Sequence, residues 1–197
     1  MGKVGTGFSM SLDGFITGLN GDMSELFRWY ALGDTEFRFP GGRWAIKVSE
    51  ASARLIGQQV SSTGALVVGR RHFDEAKGWD GQHPMNVPVF VVSHRPPPDW
   101  LEPNSPFSFV SEGVEAAIAR AKAVAGDKDI GVGGANVAQQ AINAGLIDEI
   151  GVDLVPVLLG TGVRFFDHLE PRAVKLEQTM TVEGIVVTHL RYRVVKL

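Results

Sequence analysis

The chain has 197 residues, 19 basic against 22 acidic side chains, a net charge of −3, and 44% hydrophobic residues. That length suits one domain, 1–197, with a full core of its own. The composition is that of a soluble globular protein, and without a basic excess no nucleic-acid partner is expected. There is no cysteine, which excludes disulfides, thiolate metal sites and a cysteine nucleophile. The 24 glycines are spread among hydrophobic runs, so they do not form a linker.

The first residues carry one lysine, no long apolar segment and no small-residue cleavage site, so a secretory signal is not expected. Met1-Gly2-Lys3-Val4-Gly5-Thr6 fits a myristoylation pattern formally, but residues 4–8 read as the start of a buried strand. No apolar run approaches the roughly 18 residues of a membrane span, and a cytoplasmic location is the expectation.

In chain order, residues 4–10 read as a strand. Residues 18–43 are polar and aromatic without clear periodicity, and long loops inside compact domains often carry function. Over 45–59, Ile46, Val48, Ala51, Leu55 and Ile56 recur near helical spacing. Residues 64–68 form an apolar strand ending at Gly69, 71–76 a helical turn, and 87–92 a second apolar strand. The proline-rich piece 95–99 is a stiff loop, and 107–110 a short strand. Ser111 is the expected cap of a helix with Val114, Ala117, Ile118, Ala121 and Ala125 on one face and Gly126 as its stop. A strand at 129–132, a helix at 134–143 stopped by Gly145, and a strand at 148–155 follow. Val174, Leu176, Gln178 and Met180 alternate toward a turn at Glu183-Gly184. Val186, Thr188, Leu190, Tyr192 and Val194 alternate after it, which predicts an antiparallel hairpin. Apolar strands alternating with helices, closed by a hairpin, predict a three-layer α/β sheet, mostly parallel, with an antiparallel edge.

Ligands of such sheets bind at the carboxyl ends of the strands. Those ends read Ser11-Leu12-Asp13-Gly14, Gly69-Arg70-Arg71-His72, Ser93-His94-Arg95 and Gly133-Gly134-Ala135-Asn136. The last runs from strand to helix through paired glycines, where free N–H groups and the helix dipole make an anion site. It is not G-x-G-x-x-G, since position 136 is Asn, and a tight turn needing glycine only for its dihedrals explains it equally well. The arginines suit forked hydrogen bonds to phosphate, or else a solvated basic turn. Taken together, two basic strand ends and a glycine-rich helix start favour a phosphorylated dinucleotide. The five histidines show no metal-ligand spacing, and no G-x-S-x-G elbow occurs.

These motifs, with Gly145-Leu146-Ile147-Asp148-Glu149 and the run from Pro156 to Phe166, occur in an order that resembles the dihydrofolate reductase-like superfamily. The branch resembled contains the C-terminal reductase domain of bifunctional riboflavin-biosynthesis deaminase-reductases. The deaminase combination of H-x-E with P-C-x-x-C is absent, as in a stand-alone reductase domain. The likeness spans nearly the whole chain and is most specific over 133–166. It implies a dihydrofolate reductase-like three-layer sandwich, NADPH as cofactor and a homodimer. It implies that Gly133, Gly134, Ala135, Asn136 and Val137 hold the pyrophosphate. Gly69, Arg70 and Arg71 would lie along the adenosine, and Ser93 and Arg95 would face the 2′-phosphate. A cis peptide between Gly133 and Gly134 is also implied.

On the catalytic side, the dihydrofolate reductases carry a carboxylate on the first helix. The helix before 64–68 offers Glu50, although the spacing points nearer Ala53, which speaks against folate; an exposed charge in the first turn is the other reading. Asp13 is the stronger polar candidate, with an Asx turn to Gly14 as its alternative. Trp29, Tyr30, Phe37 and Trp44 either stack on a planar ring or pack the loop, and Phe165 and Phe166 read as core. The expected activity is NADPH-dependent reduction of a small pyrimidine-like heterocycle of the 5-amino-6-(5-phosphoribosylamino)uracil type. Dihydrofolate reduction and a non-catalytic NADPH-binding module are the alternatives.

Overall fold

The structure, a computed structural model, describes residues 2–196. β1 (Val4–Ser11) and β2 (Phe15–Thr17) lead into a stretch with 3₁₀ turns at Leu19–Gly21 and Arg28–Ala31, then β3 (Thr35–Arg38) and β4 (Ala45–Val48). Next come α1 (Glu50–Ser62), β5 (Thr63–Gly69), α2 (Arg70–Glu75), a 3₁₀ segment at Lys77–Gly81, β6 (Val89–Val92) and β7 (Phe107–Val110). α3 (Val114–Ala125), β8 (Asp129–Gly133), α4 (Ala135–Asn143), β9 (Glu149–Val155) and β10 (Val163–Arg164) follow. The hairpin β11 (Leu176–Glu183) and β12 (Thr188–Val194) closes the chain. One eight-stranded sheet runs β11-β12-β9-β1-β8-β5-β6-β7. Its strands from β9 to β7 are parallel, and β12 and β11 add the antiparallel edge. The mixed α/β fold expected from the sequence is therefore the one observed.

Two expected elements need correction. Residues 45–59 are not one helix. Ile46 and Val48 are buried while Ala45 and Lys47 are exposed, the period of a strand, and β4 pairs antiparallel with β3. Ser49 then caps α1, its side chain accepting from Ser52 N. α3 starts later than expected: Gly113 is its N-cap, and Ser111 bonds the Glu112 carboxylate instead.

Side chains of β1 alternate between the faces. Val4, Phe8 and Met10 join the large core, where α3 contributes Ala117 and Ile118 and α4 contributes Ala138 and Ile142. The opposite face carries two smaller cores. Trp29, Val48 and Val155 centre one, against α1; Phe73 of α2 fills the other with Leu66, Val68 and Val91. Between them, β1 and β8 present Gly5, Gly7, Gly131 and Gly133 on that face.

β1 and β8 pair only from Val4↔Ile130 to Thr6↔Val132, where Thr6 Oγ1 donates to Val132 O at 2.9 Å. Beyond that pair β1 stays with β9 as far as Ser11↔Val155, and β8 stays with β5 to Gly133↔Val68. The sheet thus splits at its carboxyl end. The connection leaving β8 turns onto the α3/α4 face and the one leaving β5 onto the other, the arrangement that in such sheets opens a crevice at the strand ends, here at the end of β8.

Candidate functional site at the split end of the sheet

The glycine turn forms one wall of the crevice. Gly134 is the N-cap of α4 with φ 89°, a conformation that a side chain at this position would strain. The helix behind it leaves the amides of Ala135, Asn136 and Val137 without an earlier carbonyl in the helix to bond, and no acidic residue occupies its first turn. The Gly133–Gly134 peptide is trans, so the expected cis bond is corrected: the positive φ of Gly134 makes the turn instead. Gly69 at the end of β5 packs against this helix start, since a Cβ there would lie 3.1 Å from Val137 Cγ2.

His72 was missed by sequence reasoning. It lies on α2, one turn after Gly69, and covers Gly133, with Nδ1 3.1 Å from where a Cβ would be. That Nδ1 is buried without a hydrogen-bond partner. Burial holds the ring below the usual histidine range, only partly offset by the charge of Glu75 and by the Gly133 backbone. Trp79 packs edge-on against His72 at 5.4 Å and against His83 at 4.6 Å. Burial, and then the proximity of His72, lower His83 to about 4. The available signal was position: a polar side chain one helical turn beyond a strand end.

Arg70, Ser93 and Arg95 are brought together beside this wall. Asp74 joins the two arginines, accepting from Arg70 Nε and from Arg95 Nη2, each at 2.8 Å. Arg70 is largely buried, donates to Pro96 O at 2.7 Å and lies over the Phe109 ring at 5.5 Å. Ser93 Oγ accepts from Arg95 N and donates to Arg95 O, both at 3.0 Å, which folds the loop back on itself. Arg95 is 63% exposed and has room to turn toward a ligand. Arg71 is not part of the cluster. It points to solvent and pairs with Glu75 at 2.7 Å.

The two carboxylates expected on the catalytic side both have partners within the fold. Asp13 Oδ1 accepts from Ser11 Oγ (2.6 Å) and Leu159 N (3.1 Å), and Oδ2 from Gly160 N (2.7 Å). The Ser11 bond, then those amides, hold its carboxyl at about 2 despite some desolvation. A group so held has no proton to give at neutral pH; Asp13 latches the turn after β1 to the loop before β10. Glu50 is the first residue of α1, 81% exposed, and pairs with Arg54 at 3.0 Å. With α1 beginning at position 50, the helical phase turns Ser52 and Leu55 inward and leaves Glu50 outside. Of the loop aromatics, Trp29 is buried and Tyr30 packs on it at 4.4 Å; Phe37 packs on Phe39, and Trp44 is exposed. Phe165 is core, but Phe166 is 39% exposed, stacked on Phe165.

Comparison with known proteins bears on the family and the fold. The family model of the RibD C-terminal domain matches residues 3–189. A solved structure described as a riboflavin biosynthesis protein from Shewanella sp. PV-4 is similar over 98% of this chain and 99% of its own, at 21% identity and TM-score 0.76. A deaminase/5-amino-6-(5-phosphoribosylamino)uracil reductase from Thermotoga maritima is similar over 98% of this chain and 57% of its own, at 14% identity and TM-score 0.63. Dihydrofolate reductase from Enterococcus faecalis, solved with NADP(H), is similar over 98% and 96%, at 16% identity and TM-score 0.58. No curated protein matches. At these identities the structures speak for the fold.

Proposed function

The chain belongs to the RibD C-terminal domain family, and we propose that it is an NADPH-dependent reductase of a small pyrimidine-like heterocycle of the 5-amino-6-(5-phosphoribosylamino)uracil type. The observation that carries this reading is the split end of the sheet at β8, with the α4 helix-start amides there and a strand-end arginine pair beside them after β5 and β6. When bound, NADPH supplies a hydride; the protein binds, orients and excludes water. Gly133, Gly134 and the amides of Ala135, Asn136 and Val137 hold the pyrophosphate. Gly69 lets the adenosine side approach the main chain. Arg95, with Arg70 and Ser93 behind it, faces the 2′-phosphate in place of Asp74.

The test is consumption of NADPH on mixing with 5-amino-6-(5-phosphoribosylamino)uracil. Turnover supports the reading, and tight NADPH binding without turnover of this or related pyrimidines would reduce the protein to a cofactor-binding module. Folate reduction is disfavoured because the inward side chains at the start of α1 include no carboxylate. We also propose a homodimer. β11 is an eight-residue edge strand exposed along nearly its whole length, the kind of edge a second copy covers. Light scattering giving only the monomer mass at high concentration would remove this.

A further inference from the structure

Between the two smaller cores, the sheet has a floor without side chains. Gly7 of β1 stands opposite Gly151 of β9, which stands opposite Arg191 of β12. Gly7 is exposed although β1 is an inner strand. It is also the first residue of β1 past its last pair with β8, as Gly133 is on β8, so this floor opens onto the crevice. Arg191 lies flat on Gly151, its Cδ, Nε and Cζ each 3.3 Å from where a Cβ would be.

One rung nearer the carboxyl ends, Ser9, Asp153 and His189 stand side by side on the same face. Asp153 Oδ1 accepts from Arg191 Nη1 at 2.9 Å and lies 2.8 Å from His189 Nδ1. His189 Nε2 lies 2.8 Å from Ser52 Oγ. Ser49 Oγ accepts from Ser52 N and donates to Ser52 Oγ at 2.9 Å. Ser52 Oγ and Asp153 Oδ1 therefore bracket the two ring nitrogens of His189 and fix the plane of the imidazole.

Ser52, His189 and Asp153 have the composition of a nucleophilic triad with its exposure reversed. Ser52 is 1% exposed and His189 0%. Gly184 closes over them, since a Cβ there would lie 2.6 Å from Ser52 Oγ, and Trp29 packs edge-on against the imidazole at 5.1 Å. No substrate reaches that serine. The open end is the carboxylate: the Asp153 side chain is 21% exposed, and its Oδ2 has no hydrogen-bond partner among the described residues.

We propose that Asp153 and Arg191 anchor the heterocycle through an edge that carries an N–H beside a C=O, with His189 as the residue that positions Asp153. Asp153 Oδ2 accepts the ring N–H, a free guanidinium N–H of Arg191 donates to the carbonyl, and the glycine floor lets the flat ring lie against the sheet. This deepens the reading of the chain as a pyrimidine reductase and rests on it for the hydride, though not for the binding. The groups facing Asp153 are His189 and Arg191 from β12 and Tyr30 from the 3₁₀ turn; β1 offers Gly7 and Ser9, and α1 offers Ser52. Burial would raise the Asp153 carboxyl, but the His189 bond and the Arg191 charge outweigh it and leave it low.

The experiment is calorimetric titration of the full chain, with and without saturating NADPH, using 6-aminouracil and its 1,3-dimethyl analogue, which lacks the ring N–H groups. Wild-type protein should bind 6-aminouracil at least about tenfold more tightly than the dimethyl compound, the scale of one charge-assisted hydrogen bond. Asp153→Asn should lose a similar factor with NADPH affinity unchanged. His189→Leu should move the acid loss of 6-aminouracil binding to higher pH, and His189→Asn, which keeps a donor toward Asp153, should restore it. Equal binding of the two pyrimidines, or no binding of either by protein that binds NADPH, overturns the anchor even if no variant folds. An unmoved pH profile in folded His189→Leu overturns the positioning role. Pyrimidine binding without NADPH binding would leave the anchor standing and sink the reductase.

Discussion

The two flanks of the split at β8, the walls proposed for cofactor and heterocycle, are built by different means. Toward β5 the wall is mainly backbone: a glycine at positive φ, helix amides and a packed strand end, with a strand-end arginine pair for charge. Each part is a few consecutive residues after one strand. Toward β9 the groups are side chains from β1, α1, β9 and β12, joined only by register and packing. A phosphate chain suits local main-chain motifs, whereas a flat heterocycle needs donors and acceptors aimed along its edge.

The sharpest way to break this contrast is Gly134→Val. A β-branched residue at φ 89° is strained by at least about 1–2 kcal/mol, and the turn must move. NADPH binding should fall by more than about a hundredfold while 6-aminouracil binding stays within about threefold. Parallel losses would merge the two flanks into one site.

Asp74→Asn sharpens the backbone flank by releasing the two arginines that its carboxylate holds. NADPH should tighten about threefold, the scale of one exposed ion pair, with NADH unchanged. Weaker NADPH binding would mean that Asp74 orients the arginines rather than competing for them.

The Asp13 latch predicts a pH signature. Its carboxyl is lowered from 3.8 unfolded to about 2 folded, chiefly by the Ser11 hydroxyl and then the Gly160 and Leu159 amides. The folded state therefore gains stability that is fully present above about pH 4 and is lost as pH falls toward 2. Denaturant unfolding of wild type and Asp13→Asn should show a gap that is constant near neutrality and closes below pH 4. A gap that widens on acidification would contradict the latch.

The smallest effect belongs to Glu50→Gln. The side chain is 81% exposed in a pair with Arg54, so stability should change by less than about 0.5 kcal/mol and turnover by less than about twofold. A large loss of turnover would return Glu50 to the substrate flank.

The legibility of the sequence follows the same division. Gly69, Gly133 and Gly134 could be found because a strand end followed by glycine is a local pattern, and so could the parallel order of apolar strands. Ile46 and Val48 misled because two apolar residues at i and i+2 fit a loose helical pattern as well as a strand; Ser49, the true cap, marked the boundary. Arg71 sits next to Arg70, yet it leaves the cluster because adjacent residues on a helix diverge by about 100°. Asp153 was an acidic residue inside an apolar strand, which is a signal of something. Its partner His189 lies 36 positions away and is matched to it only by the β9–β12 register.

On the proposed reading, the crevice at β8 takes a dinucleotide bearing a 2′-phosphate. Titrating the folded protein with NADPH and NADH, alongside Arg95→Ala, tests it most directly. Wild type should bind NADPH the more tightly, and Arg95→Ala should weaken NADPH by about tenfold or more and NADH hardly at all. Equal weakening of the two would contradict the 2′-phosphate assignment, and no binding at millimolar cofactor would contradict the site itself.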